Sequence, residues 1–348
     1  MLSLLPHPKS CGNRYRCLVT SLEAVDFIEL KFILMWGLTY LLHLIICIGN
    51  QKGNESMSKL ADQRVVQELT EKVIAEMESC KAEGKGWTPS WNGSLSGLPL
   101  NFLTNNQLTG GNLMVALMLG ADNRWATPAG LKKEKMSWKK GSKTVWFLRP
   151  IVITKDKETG EDLKKPFVFF KPYPMINGAD INDMPETADV DTEVTHEERH
   201  NNVQEFSDSL GINFNESGLG RCYYTPSKDS IHMPYKSNFN SLDEYYSVLL
   251  HEIAHWTGHK SRLNRDAKIS IDNKDLYAFE ELVAELSSMF LCAHFGISFE
   301  PTEQNATYLN SWLGALKGDA AYIWKAAKFA SEAVNYCLQA QDEIKQAA

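Results

Sequence analysis

The stretch from Ser241 to Gly258 reads SLDEYYSVLLHEIAHWTG. Ser241 and Glu244 have capping-box spacing, Tyr245, Val248, Leu249 and Trp256 form an apolar stripe, and Gly258 supplies a stop, which together predict one amphipathic helix. On that helix four residues advance the direction by about 400°, so His251 and His255 project from one face a turn apart and can share a metal ion. Glu252 points beside them, placed to take a proton from a water that the ion polarises. In peptide hydrolysis the same carboxylate carries that proton to the leaving amine.

Two histidines and a glutamate at this spacing also occur by chance, so a third ligand is needed. Tyr277 to Phe295, YAFEELVAELSSMFLCAHF, reads as a second strong helix closed by Gly296, with Glu281 and Glu285 one turn apart on one face. One carboxylate completes a His-His-Glu set that leaves a fourth position for water, and the other hydrogen-bonds a ligating histidine. Helical spacing alone does not order the two. The E-x-x-x-[DE] arrangement resembles that of gluzincin peptidases, and the resemblance assigns Glu281 to the metal and Glu285 to the histidine. Metzincin-like sites carry a third ligand six residues after the second histidine, where this chain has Ser261, so His259 reads as a loop residue. His232 is expected on an edge strand facing the cleft rim or solvent, and His294 is expected to be structural. The ion expected is Zn2+, with another divalent metal such as Mn2+ as the alternative.

Upstream, Asn202 to Leu210 reads as helix, followed by strands near Arg221 to Tyr224 and Ser230 to Met233 across the turn-rich TPSKD at 225–229. Nearer the N-terminus, helical spacing of Leu60, Val65, Val66, Leu69, Val73, Ile74 and Met77 ends at Gly84 and Gly86, and a second helix is expected at about Asn112 to Leu119. Strands at about Thr144 to Thr154 and Phe167 to Pro172 would flank a charged loop. From Arg124 to Arg149 the chain reads RWATPAGLKKEKMSWKKGSKTVWFLR, with Lys132, Lys133, Lys135, Lys139, Lys140 and Lys143 interleaved with Trp125, Trp138, Trp146 and Phe147. Cations that follow phosphates and flat rings on which bases stack are what sequence-tolerant binding of single-stranded DNA requires. A solvated lysine face around core tryptophans is the competing reading.

The whole chain, 348 residues with 43% hydrophobic and 23% charged, has a soluble globular composition and is long enough for two cores. Its net charge of -7 hides an uneven distribution: Asp180, Asp183, Glu186, Asp189, Asp191, Glu193, Glu197 and Glu198 fall in an acidic linker, so the sum does not argue against a basic region before it. Seven scattered cysteines without a C-x-x-C pair suggest a reducing, cytoplasmic setting, with Cys292 and Cys337 as small core residues. Phe32 to Ile48, FILMWGLTYLLHLIICI, is just long enough to span a membrane. Because MSKLADQRVVQELTEKVIAEM from Met57 reads as an ordinary start leading into a helix, a misassigned start is the preferred reading of residues 1–56. Membrane anchoring follows only if that leader is translated and inserted.

HEIAHWTGHKSRLNR followed by FEELVAELSSMFLCAHFGI closely resembles the zincin-like domain of the ArdC antirestriction family and of related plasmid primases. WTPSWN, Gly110-Gly111-Asn112, RWATPAGL, KKGSKTVWF and FVFFKPYPMING resemble that family's N-terminal domain. The resemblance covers about Ser58 to the C-terminus, with the leader at 1–56 outside it, and implies an α+β chain: a small mixed single-stranded-DNA-binding domain at 57–178 and a largely helical zincin-like metallopeptidase domain at 201–348, joined by the acidic linker at 179–200. It implies a mobile-element protein that helps incoming DNA escape host restriction, with an unidentified protein substrate. The candidate DNA contacts are Trp91, Asn112, Arg124, Trp125, Lys132, Lys133, Lys139, Lys140, Lys143 and Trp146. Gly110-Gly111-Asn112 departs from the family's usual Gly-Ile-Asn, which puts the detail of that helix entry in question. The alternatives are a DNA-protecting protein with a structural or inactive metal site, and a membrane-anchored peptidase.

Overall fold

Helical periodicity after Leu60 is realised as helix α1, residues 63–82, which buries Leu69, Val73 and Met77. The computed structural model describes residues 63–88, 97–156, 158–184, 194–265, 274–302 and 305–347. Trp91, the apolar run Phe32 to Ile48 and the acidic stretch 185–193 lie outside the described residues. Among the described residues no helix is long and apolar enough to cross a membrane.

The fold is α+β. Strands β1 (Leu100–Asn101), β2 (Asn106–Gln107), β3 (Arg124–Ala126), β4 (Val145–Lys155) and β5 (Asp162–Asn177) form one sheet in the order β2-β1-β3-β5-β4. Helices α2 (Gly110–Leu119) and α3 (Pro128–Lys133) belong to the same part of the chain. The strands expected around the charged loop are found, but the second is much longer than its apolar core. It pairs with β4 from Lys155↔Asp162 to Val145↔Met175, and β3 reaches only its last residues, Ile176 and Asn177. Most of β4–β5 is therefore a two-stranded ribbon.

Prolines explain the shape of this ribbon. Trp146↔Pro174, Leu148↔Pro172 and Pro150↔Phe170 have the same parity in the ladder. A proline has no N–H to give its partner, so these are the pairs whose backbone groups point away from the neighbouring strand. Both outer edges are thereby blunted against further strand addition. The Asn112 carboxamide fills one of these edge positions, donating to the Leu148 carbonyl at 2.6 Å and accepting from its amide at 2.8 Å.

The second half begins with α4 (His196–Ser209), closed at its start by a Thr195–Glu198 capping box. Strands β6 (Asn213–Ser217), β7 (Tyr223–Thr225) and β8 (Ser230–Pro234) follow, then α5 (Leu242–Thr257), α6 (Lys274–Phe295), α7 (Asn305–Gly318) and α8 (Tyr322–Ala347). The small sheet runs β6-β8-β7, with β6 parallel and β7 antiparallel to β8. This corrects the expectation for His232: β8 is the middle strand, and the imidazole is buried. Its Nε2 lies 2.8 Å from Ser217 Oγ and its Nδ1 2.9 Å from the Arg221 carbonyl, while the Tyr223 ring stacks at 4.9 Å.

The two expected cores are unequal and are not divided at the linker: Leu60–Ala348 form one compact unit, the larger apolar cluster runs from Leu69, Trp87 and Trp125 to Trp312, Ala327 and Cys337, and a second, small one joins Ala126, Leu131, Ile176 and Ile181. The connections are specific. Thr70 Oγ1 donates to the Ala320 carbonyl at 2.7 Å, the Gly110 amide to Ser331 Oγ at 2.6 Å, and the Trp87 amide to Asn305 Oδ1 at 2.6 Å. At Gly111 a Cβ would lie 1.8 Å from the Trp324 ring. The departure from Gly-Ile-Asn is thus complementary, since the Trp324 ring occupies the space that a side chain at 111 would need.

Candidate metal centre

The metal helix is fixed at both ends. Ser241 Oγ accepts the Glu244 amide at 3.0 Å, as the spacing predicts, but the Glu244 carboxylate turns to the Asn240 amide (2.7 Å) and side chain (2.9 Å) instead of closing the box. At the other end the Gly258 amide donates to the His255 carbonyl at 2.8 Å. Burial of Tyr245, Val248, Leu249, Leu250, Ile253 and Trp256 seats α5 against α6 and the small sheet. Arg262 locks the following loop, its guanidinium over the Trp256 ring at 3.9 Å and paired with Asp229 in the β7–β8 turn.

This framework brings His251, His255 and Glu281 together. One ligand atom from each lies within 4.8 Å of the others. The two Nε2 atoms are 3.1 Å apart, and each is 3.6 Å from an oxygen of Glu281. Glu285 lies on the other side of His251, its Oε1 3.7 Å from Nδ1 and accepting the Thr302 hydroxyl at 2.6 Å. Glu252 is buried on α5 between the two histidines. His259 turns to Ser261, with Nδ1 2.8 Å from its Oγ.

The electrostatics favour a cation. Burial alone would push both imidazoles down, but Glu285 and Glu281 hold His251 well above its usual value, and Glu281 with Glu280 raises His255. Burial would raise Glu281, yet His255 and His251 bring it down to about 2. Desolvation raises Glu252, against the pull of the two imidazoles. Ligating imidazoles are neutral, so a divalent ion could take the place that protons take in this negative field. Two imidazoles and a carboxylate form the donor set of an open tetrahedral site. His251 Nδ1 and Glu285 Oε2 are buried without a hydrogen-bond partner, as expected of a pair whose contact tightens when the Nε2 atoms are drawn to an ion.

Glu280 was not expected from the sequence. Its Oε1 is 3.7 Å from His255 Nδ1, and both its oxygens are engaged by Arg265. The available signal was an acidic residue beside Glu281 and an arginine after the metal helix. Neither has a motif spacing.

The residues expected at DNA divide. Lys132, Lys133, Lys140 and Lys143 are exposed, and Lys139 is exposed while donating to the Ala179 carbonyl at 2.7 Å. Trp146 is 46% exposed on the ribbon, with Phe170 (49%) four ladder pairs along on the same face. Trp125 is a correction: it is 0% exposed and packed against Phe147 at 5.1 Å, so no base can reach its ring. Asn112 is another, because its amide is spent on Leu148. Arg124 pairs with Asp122 at 2.6 Å and, with Lys139, Ser137 and Asn182, lines an open polar cavity of about 640 Å³.

Comparison with known proteins agrees with both halves. A family model for the N-terminal domain of anti-restriction factor ArdC matches residues 63–175, and one for a zincin-like metallopeptidase matches residues 201–329. The metal-free crystal structure of the antirestriction protein ArdC from plasmid R388 superposes with a TM-score of 0.64 at 32% identity, covering 80% of this chain and 98% of that one. The chain belongs to the ArdC antirestriction family. Its Mn(II)-bound counterpart from R388 gives a TM-score of 0.61, again at 32% identity, covering 79% of this chain and 97% of that one. DNA primase TraC of Escherichia coli is 32% identical over 292 residues, 78% of this chain, and the chain spans only 27% of TraC. This ArdC-family chain therefore joins an ArdC N-terminal domain to a zincin-like domain.

Proposed function

We propose that this ArdC-family protein binds single-stranded DNA on its N-terminal half and uses its second half as a metal-dependent peptidase. The observation that carries the peptidase reading is the convergence of His251, His255 and Glu281 to within 4.8 Å with Glu252 beside them. His251, His255 and Glu281 would hold the ion, and Glu285 would orient His251. Two imidazoles favour zinc, while the Mn(II)-bound relative supports manganese as the alternative. When bound, the ion supplies Lewis-acid polarisation of water and of the scissile carbonyl. Glu252 takes the proton of the attacking water and returns it to the leaving amine.

Glu252→Gln tests this, because it leaves all three ligands in place. The expected result is full metal binding with loss of proteolysis. Antirestriction that survives together with undiminished proteolysis would refute the mechanism. Antirestriction that survives alone would support the second reading, protection by DNA occupancy.

For DNA, the exposed lysines at 132, 133, 140 and 143 would follow phosphates, and the ribbon face bearing Trp146 and Phe170 would stack bases. Arg149 and Lys171 face each other across the ladder on the opposite face of the ribbon, outside that stacking surface. Trp146→Ala is expected to weaken binding of a single-stranded oligonucleotide by about 1–3 kcal/mol. Anisotropy titrations over a salt series, with duplex as control, decide it: equal affinity for duplex, or no salt dependence, would sink this reading.

A further inference from the structure

We propose that Arg265, acting through Glu280, is a positioning pair that fixes the His255 ring for metal binding. This rests on the reading of His251, His255 and Glu281 as a divalent-cation site. His255 presents Nε2 toward Glu281, so its remaining ring nitrogen, Nδ1, needs an acceptor that keeps the proton there and leaves the Nε2 lone pair for the ion. Glu280 Oε1 stands 3.7 Å from that nitrogen. A carboxylate at this depth is costly unless it is paired.

Arg265 provides the pairing and the aim. Its Nε is 3.1 and 3.2 Å from the two Glu280 oxygens, and its Nη2 is 2.8 Å from Oε1. The same buried guanidinium donates to the Ala254 carbonyl at 2.7 Å and to Thr257 Oγ1 at 2.9 Å. Those residues flank His255 on the last turn of α5. The guanidinium thus ties the carboxylate on α6 to the backbone turn that carries the histidine, which a single ammonium could not do with the same fixed fork. The two histidines are held differently: His251 by a glutamate steadied with a threonine hydroxyl, His255 by a glutamate steadied with a charged, planar clamp.

The test is metal affinity in the full chain, measured with Zn2+ and with Mn2+ by competition against a chromophoric chelator. His255→Ala and Glu281→Ala should abolish binding; if they do not, or if the wild type binds no metal, the site reading falls and the positioning role with it. Glu280→Gln and Arg265→Gln should each weaken binding about 10- to 100-fold, the range for groups that orient a ligating histidine. Because Arg265 acts through Glu280, the double variant should bind no more weakly than the weaker single variant. The Co2+ absorption spectrum should shift in all three, which a purely structural ion pair would not cause. Glu280→Asp guards against misfolding, since the shorter side chain keeps the Arg265 pair while withdrawing from His255; it too should bind more weakly. Wild-type affinity in Glu280→Gln or Glu280→Asp, or losses that multiply in the double variant, would overturn the proposal.

Discussion

Gly111→Ala should push α2 off α8. The added Cβ would lie 1.8 Å from Trp324 Cε3 and 2.2 Å from Cζ3. Carbon atoms in contact sit at about 3.5–4.0 Å, so the indole or the helix must yield by about 2 Å. The ring has little room to move, because it lies against the shared core and the Gly110 amide beside it is held by Ser331. Overpacking of this kind costs about 1–3 kcal/mol. Alanine over glycine in a helix returns up to about 1 kcal/mol. A net loss of about 1 kcal/mol is expected, a fall in melting temperature of about 2–4 °C. Thermal melts followed by near-UV circular dichroism would read it, with Trp324→Leu as the second background. There the clash is gone and the alanine should cost nothing. An unchanged melting temperature in the wild-type background, or an equal loss in both, would refute the close approach of the two helices.

Other outcomes follow from single contacts. Asn305→Ala leaves the buried Trp87 amide without its acceptor, and should lower stability by about 1–3 kcal/mol, read as a lower urea midpoint at unchanged slope. Burial alone would raise Asp243, but hydrogen bonds from His200 and Ser298 outweigh it and hold the carboxyl below its usual value. Its stabilising contribution is therefore complete above the unfolded carboxyl pKa of about 3.9 and is lost as pH falls through the lower folded value. The stability gap between wild type and Asp243→Asn should hold from pH 6 to about pH 4 and narrow as pH falls further, and a gap that stays constant below about pH 4 would contradict the attribution. Burial pushes the thiols of Cys292 and Cys337 up to about 12, so native alkylation followed by peptide mass spectrometry should leave both unlabelled until the chain unfolds.

What could be read from the sequence was what local rules govern. The metal helix came with a cap, a stripe and a stop, all within eighteen residues, and Glu281 and Glu285 followed from one-turn spacing on the next long helix. His232 was misplaced because its parallel neighbour, Asn213–Ser217, reads NFNES, a polar strand without alternation; without that strand, β8 looks like an edge. Trp125 was misread because β3 is three residues long, too short for alternation to show which face is buried. Glu280 and Arg265 meet across fifteen residues of chain, where no periodicity links them. The shared core was hidden for the same reason: contacts such as Thr70 with Ala320 join segments that are each consistent with a separate domain.

That interlock bears on how such a protein can be inherited. The last helix packs on α2 of the first half as well as on α6 of the second, so a gene fragment ending near residue 184 would leave uncovered the apolar side chains of α2 that α8 buries. A fragment starting near residue 194 would leave the face of α8 at Trp324 and Ser331 open to water. Recombination that separated the halves would hand the recipient two aggregating pieces. Selection should therefore move the pair between larger proteins as one cassette, without a joint between the strand ribbon and the metal helix.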